Sequence, residues 1–235
     1  VLDTDPVAAA TSTLTSSGTG VLPAADLSAT LGVSDGGWAR FAKHWEDLAP
    51  DRYAAELGVR RLRRYGHYTV KAGVAAPIPV GAFVQPDNSN PLYVERNRHF
   101  EPLTETFASD PLLQRILGLL GRFATVLDDA AQWTVKVHPF RVVASADDDG
   151  QPTPEGLHRD GVTLVASLLI NRSNAAGGQS TVFDVSGRQL LATTLAEPGT
   201  LLLGDDRRTV HGVSPIRPVD ESAPALRDVL VITFA

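Results

Sequence analysis

His158 and Asp160 stand two residues apart in the stretch Pro154-Glu155-Gly156-Leu157-His158-Arg159-Asp160-Gly161. In a β-strand such residues project to one face, so an imidazole and a carboxylate at this spacing can close on a single ion. A second histidine, His211, lies in Asp205-Asp206-Arg207-Arg208-Thr209-Val210-His211-Gly212-Val213, between two further strand candidates. Two histidines and one carboxylate form the ligand set that suits non-haem Fe(II) with open coordination positions. The pattern therefore reads as an oxygenase. A bare His-x-Asp is a weak signal, but here it opens a strand candidate after a Pro-Glu-Gly turn, and Arg227 follows the second histidine. The chain has no cysteine, which excludes disulfides, zinc-thiolate sites and thiol nucleophiles.

These residues need strands that are neighbours in space but not in sequence. From Trp133 onward, short strand candidates alternate with Gly, Asp and Pro clusters, at 133–144, 161–170, 180–185, 189–195, 200–204, 209–213 and 227–234. A double-stranded β-helix places the two ligand stretches side by side. The N-terminal half is more helical. Trp38, Phe41, Trp45 and Leu48 recur at helical spacing between Asp26 and Leu57, with Ser34 and Asp35 as candidate N-caps. Leu112, Leu113, Ile116, Leu117, Leu120, Phe123 and Val126 make a broad apolar stripe behind Asp110-Pro111, predicting a capped helix that backs the sheet.

The run Arg60–Val70 alternates basic and aromatic residues as a strand facing a polar site would, although a solvated basic face explains it equally well. Pro77 to Phe100, with Phe83 and Tyr93, predicts strands and irregular loops. Asp147-Asp148-Asp149-Gly150 reads as a hairpin turn rather than a calcium loop, and Gly177-Gly178 as a turn between strands. The expected fold class is thus α+β, a jelly-roll (cupin-like) double-stranded β-helix with N-terminal supporting helices. A single domain is expected over 1–235, with a flexible leader at 1–20, helix-rich support at 26–130 and the jelly-roll core at 133–235.

At 235 residues and 43% hydrophobic composition the chain can bury one sizeable core. A formal net charge of -6 argues against nucleic-acid or anionic-membrane partners and favours a small molecule. No apolar run is long enough for a membrane span and no signal peptide is visible, so a cytoplasmic location is expected. The absence of methionine suggests a trimmed terminus. Oligomeric state is left open.

His158-x-Asp160, His211 and Arg227 together resemble the Fe(II)- and 2-oxoglutarate-dependent dioxygenases. Trp133–Arg141, Pro152–Gly161, Ile170-Asn171-Arg172, Gly177-Gly178, Asp205–Arg208 and Arg227–Phe234 look like the bacterial branch that hydroxylates free amino acids, the L-isoleucine 4-hydroxylase group. The resemblance is densest from about 133 to 234. It implies Fe(II) held by His158, Asp160 and His211, with 2-oxoglutarate and O2 as co-substrates and succinate and CO2 as products. It also implies that Arg227 offers a planar two-pronged donor to the far carboxylate of 2-oxoglutarate, with Thr233 on the same strand face adding a hydrogen bond. Arg217 is a competitor for that role, and a surface pair with Asp228 is the bland alternative for Arg227. An acid at Asp160 excludes the related halogenases, in which a small residue leaves room for chloride.

A free amino acid needs a cation for its carboxylate, for which Arg63, Tyr65, His67 and Arg141 are candidates, and an acceptor for its ammonium, for which Glu155 is one. His138 reads as a core or supporting histidine, and His44 and His99 as structural. Three rival readings remain at this point. They are the same chemistry on a carrier-bound, N-acylated or peptide substrate, a non-catalytic metal-binding jelly-roll module, and metal-assisted hydrolysis with Glu155 as base.

Overall fold

The structure, a computed structural model, describes residues 5–81, 83 and 98–235. Tyr93 lies outside the described residues. Helix α1 (Pro6–Ser17) is capped by Asp5, whose side chain accepts from the Val7 N–H, and Pro6 occupies a first-turn position that needs no donor. Val7, Ala10 and Leu14 are buried, and strand β1 (Thr19–Leu22) follows directly. The flexible leader expected at 1–20 is therefore corrected for its described part. The apolar positions do fall at helical spacing, but among Ala, Ser and Thr the stripe is too thin to read until a partner surface is present.

The helical stretch expected from Asp26 to Leu57 is broken. Helix α2 (Ala24–Leu31) ends at Gly32, and α3 (Gly37–Phe41) starts from Gly36; both glycines take positive φ. Neither Ser34 nor Asp35 is the cap of α3, because that position is Gly36. A 3-10 turn (Ala42–Asp47), strand β2 (Ala49–Pro50) and helix α4 (Arg52–Ala55) complete the segment. Strands β3 (Arg61–Arg63), β4 (Gly66–Lys71) and β5 (Val74–Pro77) come next, so the expected helix-rich support at 26–130 also contains sheet. After α5 (Glu105–Ala108), helix α6 (Pro111–Leu127) starts where Asp110 accepts from the Leu112 N–H at 2.7 Å. Leu113, Leu117 and Leu120 on its inner face are fully buried, each contributing roughly 1.5–3 kcal/mol.

The C-terminal half follows the expected strand pattern closely: β6 (Trp133–Ala144), β7 (Leu164–Ser173), β8 (Ala175–Gly177), β9 (Gln179–Asp184), β10 (Gln189–Thr194), β11 (Leu201–Asp205), β12 (Thr209–Val213), β13 (Ile216–Pro218) and β14 (Ala225–Phe234). One sheet runs β1-β11-β7-β14-β6-β3-β2, with β4 also on β6 and β5 on β4. A smaller sheet runs β10-β9-β12, and β13 pairs with β8. The named pairings are antiparallel, as a jelly roll requires.

Period-two alternation divides the large sheet. Leu230, Ile232 and Phe234 of β14, with Val135 and Val137 of β6, pack with α1, α2 and α6 in the main core. The opposite parity, Arg227, Val229, Val231 and Thr233 of β14 with His138, Phe140 and Val142 of β6, lines a pocket. Leu169, Val182, Leu202 and Val229 join the two sheets in a second cluster. No helix among the described residues is long and apolar enough to cross a membrane.

Candidate active site

His158 does not lie on a regular strand. A single bridge joins it to His211, each backbone N–H donating to the other's carbonyl at 3.0 Å, and the two rings come to 4.5 Å between centroids. Asp160 follows in an irregular loop whose backbone is held by one buried side chain. The Asp206 carboxylate accepts from the N–H groups of Asp160 at 3.1 Å, Gly161 at 2.7 Å and Val162 at 3.0 Å. The expected reason for the proximity, alternation along a strand, is thus corrected: the bridge from His158 to His211 and the hold of Asp206 on the 160–162 backbone place the two side chains. The outcome is the expected one. One ligand atom from each of His158, Asp160 and His211 lies within 4.8 Å of the others.

The protonation states suit a cation. The Nδ1 of His158 lies 3.0 Å from the Gly156 carbonyl, which can only accept, so Nδ1–H donates and Nε2 is the ring nitrogen available to a metal. Burial, and then the neighbouring His158, push His211 down to about 4, so its imidazole is neutral at ordinary pH. Its Nε2 lies 3.6 Å from an Asp160 oxygen. Burial pushes Asp160 upward, opposed by His158 and Lys136. Asp206 is likewise raised by burial, against the N–H bonds it accepts from Val162 and Asp160. This donor set, open on its pocket side, fits Fe(II).

The same pocket contains Arg227, 2% exposed. Its Nε has no hydrogen-bond partner, and no carboxylate among the described residues pairs with it. Asp228, the neighbour that a surface pair would have used, points to the opposite face and binds Arg141. Arg217 is exposed and committed to Asp149, which removes it as the competitor. Thr233 also lines the pocket, but six residues along a strand separate its Cα from that of Arg227 by about 20 Å. It stands in register with Lys136, near Asp160, so the expectation that it shares a carboxylate with Arg227 is corrected.

Of the substrate candidates, Arg63 and Glu155 line the pocket. An Arg63 nitrogen lies 2.7 Å from Nδ1 of His138. Burial and the surrounding cations, Arg63 first, hold His138 well below its ordinary range, so it accepts from Arg63 as a neutral ring. Glu155 comes to 3.6 Å from His158 Nε2. Three candidates are corrected. Arg141 occupies the other parity of β6 and is spent on Asp228 and Glu46 at 2.8–2.9 Å. Tyr65 does not line the pocket; it stacks behind His138 at 5.1 Å. His67 sits opposite Lys136 in β4 but also stays out of the lining. Arg61, Arg98 and His138 were not proposed as lining residues, and all three line it. Alternation alone would have added Arg61 to Arg63; nothing local marks Arg98. Among the remaining sequence expectations, His44 pairs with Asp110, and the turn near Asp147 is made by Ala146-Asp147 and closed by Ser145 and Asp148.

Comparison with known proteins follows the same lines. A sequence model of the 2OG-Fe dioxygenase family matches residues 42–233. L-isoleucine-4-hydroxylase from Bacillus thuringiensis is 28% identical over 163 residues, covering 63% of this chain and 67% of that protein. The 3(1)-hydroxy-L-isoleucine 4-dioxygenase of Pantoea ananatis is 29% identical over 148 residues, covering 61% of this chain and 54% of that protein, so the match spans about half of its length. The crystal structure of a BsmA homologue from Methylobium petroleophilum PM1 superposes with a TM-score of 0.85 at 34% identity, covering 97% of this chain and 92% of the other. IDO from Bacillus thuringiensis superposes with a TM-score of 0.78 at 19% identity, covering 97% and 95%, a likeness of fold.

Proposed function

The chain belongs to the 2OG-Fe dioxygenase family, and from that premise we propose that it hydroxylates an aliphatic carbon of a free L-amino acid. Membership implies Fe(II), 2-oxoglutarate and O2 as its reagents. When bound, these supply the oxidising power: O2 is consumed in converting 2-oxoglutarate to succinate and CO2 and in placing one oxygen atom in a substrate C–H bond.

One observation carries the reading. A single pocket holds a three-ligand cation site and a buried arginine that no carboxylate of the described chain neutralises. His158, Asp160 and His211 would hold Fe(II) from one side, leaving its other positions to the 2-oxo acid and O2. Arg227 would hold the distal carboxylate of 2-oxoglutarate through its planar fork. A buried guanidinium without a counterion is costly, and a carboxylate ligand removes that cost. The apolar side chains Val142, Val213, Val229 and Val231 exclude water around the reacting carbon and give an aliphatic chain its contact surface.

The substrate class rests on the two curated relatives, whose names specify isoleucine and hydroxyisoleucine, and on the polar groups of the pocket. Arg63, which lies 3.7 Å from the buried Asp51 carboxylate but lines the pocket, is assigned the substrate carboxylate, and Glu155, beside His158, the ammonium. Fixing both ends selects the carbon that meets the iron. The partner is then a small molecule rather than a nucleic acid or a membrane, and a cytoplasmic enzyme suits it.

Succinate release from 2-oxoglutarate with Fe(II) and ascorbate, across the twenty free amino acids, tests the proposal. Stimulation by one or a few aliphatic amino acids, lost in His158→Ala by more than about 100-fold, is expected. Stimulation only by N-acylated or carrier-bound residues would replace the free-substrate reading, and no succinate from iron-loaded protein would sink it.

A further inference from the structure

Arg172 is a jelly-roll residue used by neither the metal site nor the substrate pocket. It stands in antiparallel register with Arg227 across β7 and β14. Regular alternation would not put it on that face. Asp228 pairs with Asn171 while the next residue, Val229, pairs with Leu169, so Ile170 is an extra residue on β7. Before this bulge, Leu169 faces the pocket side with Val229, and Ile170 joins the main core on the helix side. After it, Asn171 reaches Asp228 on the outer face, and Arg172 stands on the same face as Arg227, close enough for its charge to act on that guanidinium though it does not itself line the pocket. Bulges commonly re-aim a side chain next to a site in this way.

Arg227 is buried and Arg172 half-buried, and two like charges on one face of the sheet need something between them. The NH2 group of Arg172 donates to the carbonyls of Ala175 and Gly177, each at 2.7 Å, which fixes the guanidinium against the β7–β8 turn. Its NH1 is buried and has no partner, and the Nε of Arg227 is in the same state. Gly178 keeps the space between them clear. A Cβ there would stand 2.9 Å from NH1 of Arg172 and 3.3 Å from Cδ of Arg227, on a backbone whose φ is +68°. Burial, and then Arg172, bring Arg227 down to about 10, so it remains charged at neutral pH, and burial lowers Arg172 as well. A mutual repulsion of this kind is relieved by an anion with at least two acceptor oxygens.

We infer that Arg172 is a second cation for the distal carboxylate held by Arg227, so that the cosubstrate site is a two-arginine clamp built by the β7 bulge and kept open by Gly178. The inference rests on the proposed use of 2-oxoglutarate. It gives the site a selectivity: 2-oxo acids with a second carboxylate bind, and those without one gain nothing from either arginine.

The test is a calorimetric titration of the metal-loaded protein without O2, using 2-oxoglutarate and 2-oxobutyrate, which keeps the chelating end but lacks the distal carboxylate. Arg172→Gln is expected to raise the Kd of 2-oxoglutarate by about 10- to 100-fold, the worth of one charge-assisted hydrogen bond, and to leave that of 2-oxobutyrate within about twofold. Arg172→Lys should recover part of the loss. Thermal melts of both variants show whether the β7–β8 turn is intact. An equal loss for both ligands, or none for 2-oxoglutarate, would overturn the clamp and leave Arg172 a support for the turn. Arg227→Gln separates this from the underlying reading. If wild type binds no 2-oxoglutarate, or Arg227→Gln binds it unchanged, the cosubstrate assignment itself fails. If only Arg172→Gln is silent, that assignment stands and the clamp does not.

Discussion

Arg141 and Arg227 sit on neighbouring strands of one sheet, one residue apart in register, and face opposite ways. On the outer face Arg141 makes two bonds of 2.8 Å to Asp228 and one of 2.9 Å to Glu46, and its charge is answered within the chain. On the pocket face Arg227 is at least as buried and has no such partner. The difference separates a charge that builds the protein from one that the protein keeps for something else. Satisfied burial stabilises the fold; unsatisfied burial is tolerated only where a ligand completes it.

Two substitutions sharpen this contrast. Arg141→Met leaves Asp228 buried beside an apolar chain and should destabilise the protein by about 3–5 kcal/mol, read as a fall in the denaturant midpoint. The folded fraction should bind 2-oxoglutarate with unchanged affinity. Arg227→Met removes a buried charge that has no partner, so stability should hold or rise, while 2-oxoglutarate affinity falls by about 100-fold. Stability lost equally in both variants would mean that Arg227 has a structural counterion and that the comparison is wrong.

Asp206 blurs the division, because it is satisfied and yet serves the site. Its three accepted N–H bonds shape the loop that carries Asp160, and its Oδ1 stands 3.9 Å from Nδ1 of His211. In Asp206→Asn the amide NH2 must face some of these donors. Iron affinity should drop by about 10- to 100-fold, with a smaller loss of stability than in Arg141→Met. The measurement is a titration against a competing chelator; an unchanged affinity would assign the clamp to folding alone.

The limits of the sequence follow from the same parity. Alternation shows that Val135 and Val137 share a face and that Lys136, His138 and Phe140 share the other. It does not say which face meets a ligand, and Arg141 therefore looked as eligible as Arg63, which lines the pocket. The grouping of His158, Asp160 and His211 in one pocket with Arg227 was legible from residue type and turn signals, although His158 and Asp160 lie off the strand expected to carry them. The bulge at Ile170 was not, since Leu168-Leu169-Ile170 reads the same in either parity. Nor was the clamp by Asp206, because nothing local tells a carboxylate that accepts from a distant loop from one that pairs with the arginine beside it. The helix at Pro6–Ser17 was missed for a related reason: its three buried apolar residues gain their stability from tertiary contact rather than from local propensity.

Thr233 offers the finest test of what a shared face means. It lines the same pocket as Arg227 and has the same parity, which sequence alone would take as joint action. The strand sets it far from that guanidinium, in register with Lys136 at the end where Asp160 lies. Thr233→Val removes one hydroxyl and little volume. The affinity for 2-oxoglutarate should stay within about twofold, because a single neutral hydrogen bond remote from the distal carboxylate contributes little to holding it. Any effect should appear in the KM of the amino acid, near the ligand set. A tenfold weakening of 2-oxoglutarate with no change in that KM would return Thr233 to the carboxylate end, and would mean that the pocket is shorter in the working enzyme than the strand spacing implies.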